Sequence, residues 1–150
     1  MSLRVLFTFL IVTFLSGCAV NKMDAQIYPD QDLSKINSLY VVKLDADDRG
    51  VNDLITKKFN AVGKQATTGN AADVPAEVDA VVTYTDKWMW DITMYMIELT
   101  VVIQDPKDKF PIAKGYSMHT SLTRLSPEEM VDEVITNIYK KQTNQIVSER

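Results

Sequence analysis

The sequence predicts an α+β fold, a two-layer sandwich in which an antiparallel meander of long strands carries two helices on one face. Between residues 78 and 122, apolar and polar side chains alternate with the period of a strand. On each side of that region, apolar residues recur at helical spacing instead. The resulting order of strand, helix, short strand, meander and helix is typical of layered α+β domains.

The size and charge of the chain exclude several classes of protein. Its 150 residues, 46% of them hydrophobic, allow one domain with an ordinary core. A single cysteine excludes an internal disulfide framework and a four-cysteine zinc site. A formal net charge of -4 argues against nucleic acid as a partner, because phosphate binding needs a basic face.

Residues 1–17 predict a secretory signal peptide. Arg4 precedes an apolar run that ends at Leu15, which is too short for a permanent membrane span. The next residues complete Leu15-Ser16-Gly17-Cys18, which resembles the lipobox of bacterial lipoprotein precursors. The resemblance implies that Cys18 becomes a lipidated N-terminus carrying a diacylglycerol and an acylated amine. The alternative is an incidental cysteine after an ordinary signal peptide.

The residue after the cysteine bears on localisation. In lipoproteins of the enterobacterial type, an Asp at this position favours the inner membrane, whereas this chain has Ala19. The resemblance therefore implies anchoring to the outer membrane, with the domain in the periplasm. More than one acyl chain makes such an anchor stable. The lipid on Cys18, and not charge, is therefore expected to hold the protein to the membrane.

Residues 18–35 are predicted to form the lipidated N-terminus and a linker, because they are polar and lack a sustained periodicity. The alternative is that the second half packs along the domain, with Ile27, Tyr28 and Leu33 as anchors. The periplasmic domain is predicted to span residues 36–150.

The first half of this domain is predicted as strand, turn, helix and short strand. Leu39–Val42 is apolar on both faces, as expected for a central strand. Asp45–Gly50 gives a turn signal, and its Asp residues favour the N-terminus of the following helix. Gly63 is expected to cap that helix at its C-terminus, and Gln65–Thr68 to form a short strand. The apolar residues at helical spacing are Val51, Leu54, Ile55, Phe59 and Val62.

The meander and the last helix follow. Val78–Trp90 is predicted as one long strand, and Ile112–Leu122 as the third. Ser126-Pro127-Glu128-Glu129 predicts a helix start, with Ser126 as the cap and Glu129 completing a capping box. The second strand of the meander, between Trp90 and Ile112, is expected to have one apolar face, formed by Tyr95, Ile97, Leu99, Val101 and Ile103.

Three segments carry a resemblance to small periplasmic domains: Phe59-Asn60-Ala61-Val62-Gly63, Val78-Asp79-Ala80-Val81-Val82, and Leu99 to Asp105. A helix ending in Gly, a strand opening on Asp and aliphatics, and a strand running into an Asp turn are similar to the N-terminal domain of TolB and to the curli-secretion lipoprotein group. The resemblance implies a shared fold, and fold alone does not assign a function.

Candidate chemical groups are few. His119 has Ser117 and Ser121 two residues away on the same strand face, but no third group to orient the imidazole is evident. An exposed or hydrogen-bonded strand residue is therefore expected instead of a hydrolase site. Asp45–Gly50 is similar to half of a calcium loop, but Arg49 would repel the ion.

One candidate set of soft ligands for copper consists of Met94, Met96, Met118 and His119. Methionines at alternate strand positions, however, usually pack against helices. We therefore expect no enzyme activity, no metal and no cofactor.

The aromatic residues Tyr84, Trp88 and Trp90 are the strongest candidates for a binding surface, because period two places all three on one strand face. Such a face suits a protein partner, a sugar or peptidoglycan platform, or the inner leaflet of the outer membrane. The alternative is that these side chains cover the sheet edge as additional core.

These observations together predict an outer-membrane-anchored periplasmic lipoprotein. Its domain is expected to act as a non-catalytic binding or scaffold subunit in envelope assembly or secretion, with an envelope protein or further copies of itself as partner. The alternative is a ligand-binding module for cell-wall glycan or lipid.

Overall fold

A computed structural model describes residues 21–148 of the chain. They form one six-stranded sheet, in the order β1-β6-β5-β4-β2-β3, and two helices. The elements are β1 Asn21–Ile27, β2 Ser38–Val42, α1 Val51–Ala61, β3 Gln65–Gly69, β4 Ala80–Trp90, β5 Met94–Gln104, β6 Pro111–His119 and α2 Pro127–Ser148.

The combination of one sheet and two helices confirms the α+β class. The sheet is mixed, however, and not an antiparallel meander as predicted. Strands β4, β5 and β6 form the predicted antiparallel meander. However, β2 lies between β3 and β4 and pairs in parallel with both. The cause is α1, which connects β2 to β3 as a crossover and so returns the chain in the same direction.

The folded domain begins earlier than predicted. Within the predicted linker, β1 pairs antiparallel with β6 at the edge of the sheet. Ile27 and Leu33 are buried, as the packed alternative requires. Most residues of β1 are exposed and polar. The sequence of this edge strand therefore lacks the alternation of apolar and polar residues that predicts a strand.

Both helices pack on one face of the sheet. Helix α2 lies over β1, β6 and β5, while α1 lies over β2 and β3 and contacts α2. The predicted capping box is confirmed, because the Ser126 N–H donates to Glu129 Oε2 at 2.8 Å and the Glu129 N–H to Ser126 Oγ at 3.2 Å. Gly63 has a φ of 85°, as its predicted capping role requires. Among residues 21–148, neither helix has both the length and the apolar character needed to cross a membrane.

An irregularity in β5 corrects the predicted division of its faces. Glu98 pairs with Lys87 but Met96 pairs with Trp88, so Ile97 is an extra residue without a partner on β4. Between the bulge and the hairpin turn, successive side chains of β5 therefore point to the faces opposite to those predicted. Met96 therefore joins Leu99 in the core, where Tyr95 was expected.

Candidate functional site

The predicted aromatic face of β4 begins in the core. Tyr84 is only 4% exposed, and its hydroxyl donates to Asp47 Oδ2 at 2.6 Å. The Tyr84 hydroxyl oxygen in turn accepts a hydrogen bond from the Leu44 N–H at 3.3 Å. Tyr84 therefore fastens the loop between β2 and α1 to the sheet and offers no surface to a partner.

Asp47 organises the start of α1. Its Oδ1 accepts from the N–H groups of Arg49 and Gly50, both at 2.9 Å, and its Oδ2 accepts from the Asn52 N–H at 3.1 Å. Burial opposes ionisation of the carboxyl, but the hydrogen bond from Tyr84 and those from the three N–H groups outweigh it and hold the pKa of Asp47 below its ordinary value. The expectation that this acidic turn serves the helix N-terminus is confirmed.

Trp88 lies at the margin of the core. Its ring is half-buried and packs against the main apolar cluster, and its Nε1 donates to the carboxylate of Asp86. The guanidinium carbon of Arg49 lies 4.5 Å from the ring centroid, close enough for a cation–π interaction. Little of Trp88 beyond its edge is therefore available for contact.

Trp90 is exposed, and it is surrounded by other exposed apolar residues. It is 68% exposed, Ile92 in the hairpin turn is 87% exposed and Leu122 is 80% exposed. Met89 and Met94, on either side of that turn, are exposed as well. We call these five residues the apolar tip: Met89, Trp90, Ile92, Met94 and Leu122.

The polar groups of the hairpin turn face the body of the domain. Arg124 lies 3.3 Å from the Asp91 carboxylate and donates to Thr93 Oγ1 at 2.8 Å. The Ser121 hydroxyl also donates to Asp91, and together with the N–H groups of Ile92 and Thr93 and the charge of Arg124 it holds the pKa of Asp91 below its usual range. The one carboxylate of the turn is thus neutralised by a cation.

A second polar cluster lies beneath α2, around His119, which was predicted to be an exposed or hydrogen-bonded strand residue and is hydrogen-bonded. His119 Nε2 lies 2.9 Å from Glu133 Oε2, and the Ser117 hydroxyl donates to the same carboxylate. His119 and Ser117 are both buried. Because the serine hydroxyl points to the carboxylate and not to the imidazole, this arrangement is not a nucleophile–base pair.

The sequence analysis missed Glu133 as the partner of His119. The available signal was its position three residues after Met130, which places it at the border of the buried stripe of α2. Ser121, the other serine considered, is turned away and bonds to Asp91.

The residues of the copper alternative are separated. Met96 lies in the core, whereas Met94 is exposed at the apolar tip. In the part of the chain that the structure describes, no group of three or more His, Cys, Asp or Glu residues could hold a metal ion. Cys18 and the signal peptide, 1–17, lie outside the described residues.

No family model and no curated protein matches the sequence. Among solved structures, the PelC dodecamer from Paraburkholderia phytofirmans has a TM-score of 0.57 at 9% identity, covering 82% of this chain and 97% of that chain. A point variant of the same protein has a TM-score of 0.58 at 11% identity, covering 79% of this chain and 98% of that one. At such low identity, the likeness shows a shared fold alone.

Two further structures share parts of the architecture. A PDZ domain protein from Parabacteroides distasonis has a TM-score of 0.50 at 9% identity, and the match covers 93% of this chain and 40% of that chain. TolB from Acinetobacter baumannii, a protein that the sequence pattern already resembles, has a TM-score of 0.46 at 15% identity, and 81% of this chain covers 32% of that one. The TolB score is too low to carry an argument.

Proposed function

We propose that the protein is an outer-membrane lipoprotein whose periplasmic domain is a non-catalytic binding or scaffold subunit in envelope assembly or secretion. The lipobox-like sequence Leu15-Ser16-Gly17-Cys18 supports the anchor, and Ala19 supports the outer membrane. The buried cluster of Ser117, His119 and Glu133 supports a structural role for the lone histidine, since the carboxylate engages both neighbours.

The observation that carries the scaffold role is the fold shared with PelC, which was crystallised as a dodecamer and is covered over nearly its full length. We propose that this chain likewise acts as a homo-oligomer. Its exposed edge strand β1 is a surface of the kind that oligomers cover.

Of the three aromatic residues predicted to contact a partner, Trp90 is the one whose exposure suits a contact, with Trp88 at its border. Tyr84 contributes indirectly, because it holds the loop that covers the buried end of the same strand face. The proposed contact surface is therefore the apolar tip, not the whole length of β4.

The anchor and the assembly are tested separately. Full-length protein should fractionate with outer membranes, and the Cys18→Ser variant should move to the soluble periplasmic fraction. Chemical crosslinking in cells, followed by native mass measurement of the purified protein, should give a ladder that ends in a closed oligomer. A strictly monomeric product would remove the scaffold proposal, and unchanged membrane association of the Cys18→Ser variant would remove the anchor.

A ligand-binding module for cell-wall glycan or lipid is the second candidate, favoured by the exposed ring of Trp90. Titration of the Cys18→Ser protein with soluble peptidoglycan fragments distinguishes it from a scaffold. Saturable binding that disappears in Trp90→Ala, but persists in Trp88→Phe, would support this candidate.

A further inference from the structure

The point at which the N-terminal segment joins the domain lies at the same end of the sheet as the apolar tip. Asn21, the first residue of β1, is opposite His119, the last residue of β6. At this end β6 pairs with β5, where Met118 lies opposite Glu98. Glu98 is next to the bulge at Ile97, and β5 continues from there to Met94 at the hairpin turn. The topology therefore places the start of β1 and the β4–β5 hairpin turn together.

Side-chain contacts connect these two features directly. The hydroxyl of Thr123 donates to Asn21 Oδ1, and the hydroxyl of Ser121 donates to Asp91 in the hairpin turn. Leu122 lies between these two tethering residues and points its side chain into solvent, at 80% exposure. The short turn Ser121–Thr123 thus joins the beginning of β1 to the apolar tip.

Only a short length of chain separates this end from the predicted lipid. Cys18 precedes Asn21 by three residues, which span about 10 Å when fully extended. The sheet itself is much longer, because β4 has 11 residues and rises by about 3.3 Å for each residue. An acylated Cys18 therefore keeps the end of the sheet that carries the apolar tip within about 10 Å of the bilayer.

The chemistry of the apolar tip suits a lipid surface. Trp is enriched at membrane–water interfaces, and exposed aliphatic side chains beside it add apolar area that a bilayer can cover. The carboxylate of Asp91 is paired with Arg124 and faces inward, so insertion of the turn does not carry an unpaired charge into the lipid.

We infer that the apolar tip, Met89, Trp90, Ile92, Met94 and Leu122, inserts into the interfacial layer of the bilayer beside the acyl chains on Cys18. The inference deepens the proposed function and rests on its lipid anchor. Lipid chains alone would hold the domain at any tilt, whereas two adjacent attachments fix one end of the sheet in the membrane. The rest of the surface then has a defined orientation for assembly.

The test uses the full-length acylated protein, reconstituted into vesicles of phosphatidylethanolamine and phosphatidylglycerol. The chain has two tryptophans, so Trp88→Phe reports on Trp90 and Trp90→Phe reports on Trp88. We expect Trp90 emission to shift to shorter wavelength on reconstitution. Lipids brominated near the headgroup end of their chains should quench Trp90 several-fold more strongly than half-buried Trp88.

A charge at the apolar tip provides the second variant. In the Trp88→Phe background, Ile92→Asp should abolish the quenching of Trp90, while the acylated protein still sediments with the vesicles. The matched control is Val147→Asp, which changes a residue that is 70% exposed near the end of α2. That end of the helix is remote from the tip, since Gln142 accepts a hydrogen bond from Leu33 beyond the far end of β1.

The outcomes separate this inference from the proposed function. If the mass of the N-terminal peptide shows acylated Cys18 and the protein sediments with vesicles, but Trp90 is not quenched, the inference is overturned and the apolar tip is left for a protein partner. If Cys18 carries no acyl chains, the anchor proposal fails first and this inference fails with it.

Discussion

The hydrogen bond between Tyr84 and Asp47 gives the sharpest test of how the aromatic face is divided between core and surface. Removing the hydroxyl with Tyr84→Phe deletes a 2.6 Å bond to a buried carboxylate and leaves the ring in place. Hydrogen bonds to charged groups contribute about 1.5–3 kcal/mol to stability. Because Asp47 keeps its three backbone donors, we expect a loss near the lower end, about 1.5 kcal/mol.

Asp47→Ala removes more than this single bond. The change takes the acceptor away from Tyr84 and from the N–H groups that open α1. Loss of a helix cap costs about 1 kcal/mol, and a buried donor left without a partner costs about 1–3 kcal/mol. We therefore expect a loss of about 3 kcal/mol in the free energy of unfolding.

The assay is urea denaturation followed by far-ultraviolet circular dichroism, with the four proteins of the Tyr84→Phe and Asp47→Ala cycle measured side by side. We expect a coupling energy of about 1 kcal/mol or more, because the two residues share one bond. Trp90→Ala is the control and should change stability by less than about 0.5 kcal/mol, since its ring is exposed. Additive effects of the two core substitutions, or a Trp90→Ala loss as large as theirs, would refute the division of this face into buried and exposed parts.

Two further predictions concern packing and pH. Gly115→Ala should destabilise the domain by about 1–3 kcal/mol, because a Cβ on β6 would lie 2.7 Å from Val134 Cγ1 and 2.9 Å from Ile138 Cδ1; a urea midpoint equal to that of the unmodified protein would contradict the close approach of α2. The pKa of the Asp47 carboxyl is lowered from 3.8 in the folded state. As the pH falls, the unfolded chain therefore takes up this proton before the folded protein does. The stability that the ionised Asp47 carboxylate contributes is complete above pH 3.8 and is lost as the pH falls below it. Urea midpoints measured from about pH 6 to about pH 3 should therefore fall less steeply in Asp47→Asn than in the unmodified protein, and parallel curves would contradict this assignment.

The features that the sequence predicts correctly depend on residues close together in the chain. The capping box of Ser126 and Glu129 involves four consecutive positions, and Gly63 caps α1 through its own φ. Each depends on local backbone geometry, which a short motif specifies completely. The existence of both helices and of the meander follows from periodicity in the same way.

The features that the sequence does not reveal depend on pairing between distant segments. Strand β1 is a polar edge strand, so the sheet is completed by backbone hydrogen bonds to β6 that leave no apolar pattern. The parallel pairing of β2 with β4 has no sequence signature of its own. The partner of His119 is Glu133, 14 residues away on a helix whose position over β6 only the fold supplies.

The division of the aromatic face shows why the candidate surface could be only half predicted. Period two correctly assigns Tyr84, Trp88 and Trp90 to one face of β4, but exposure depends on what covers that face. The loop before α1 reaches Tyr84 through Asp47 and Trp88 through Arg49, and Trp90, two residues further along, is left 68% exposed. The proposed contact surface therefore begins where this loop stops covering the strand, and the loop is about forty residues away in sequence from the aromatic residues themselves. If that loop sets the boundary, Arg49→Ala should increase the accessibility of Trp88 to a water-soluble quencher such as iodide and leave Trp90 unchanged, because only Trp88 has the guanidinium over its ring.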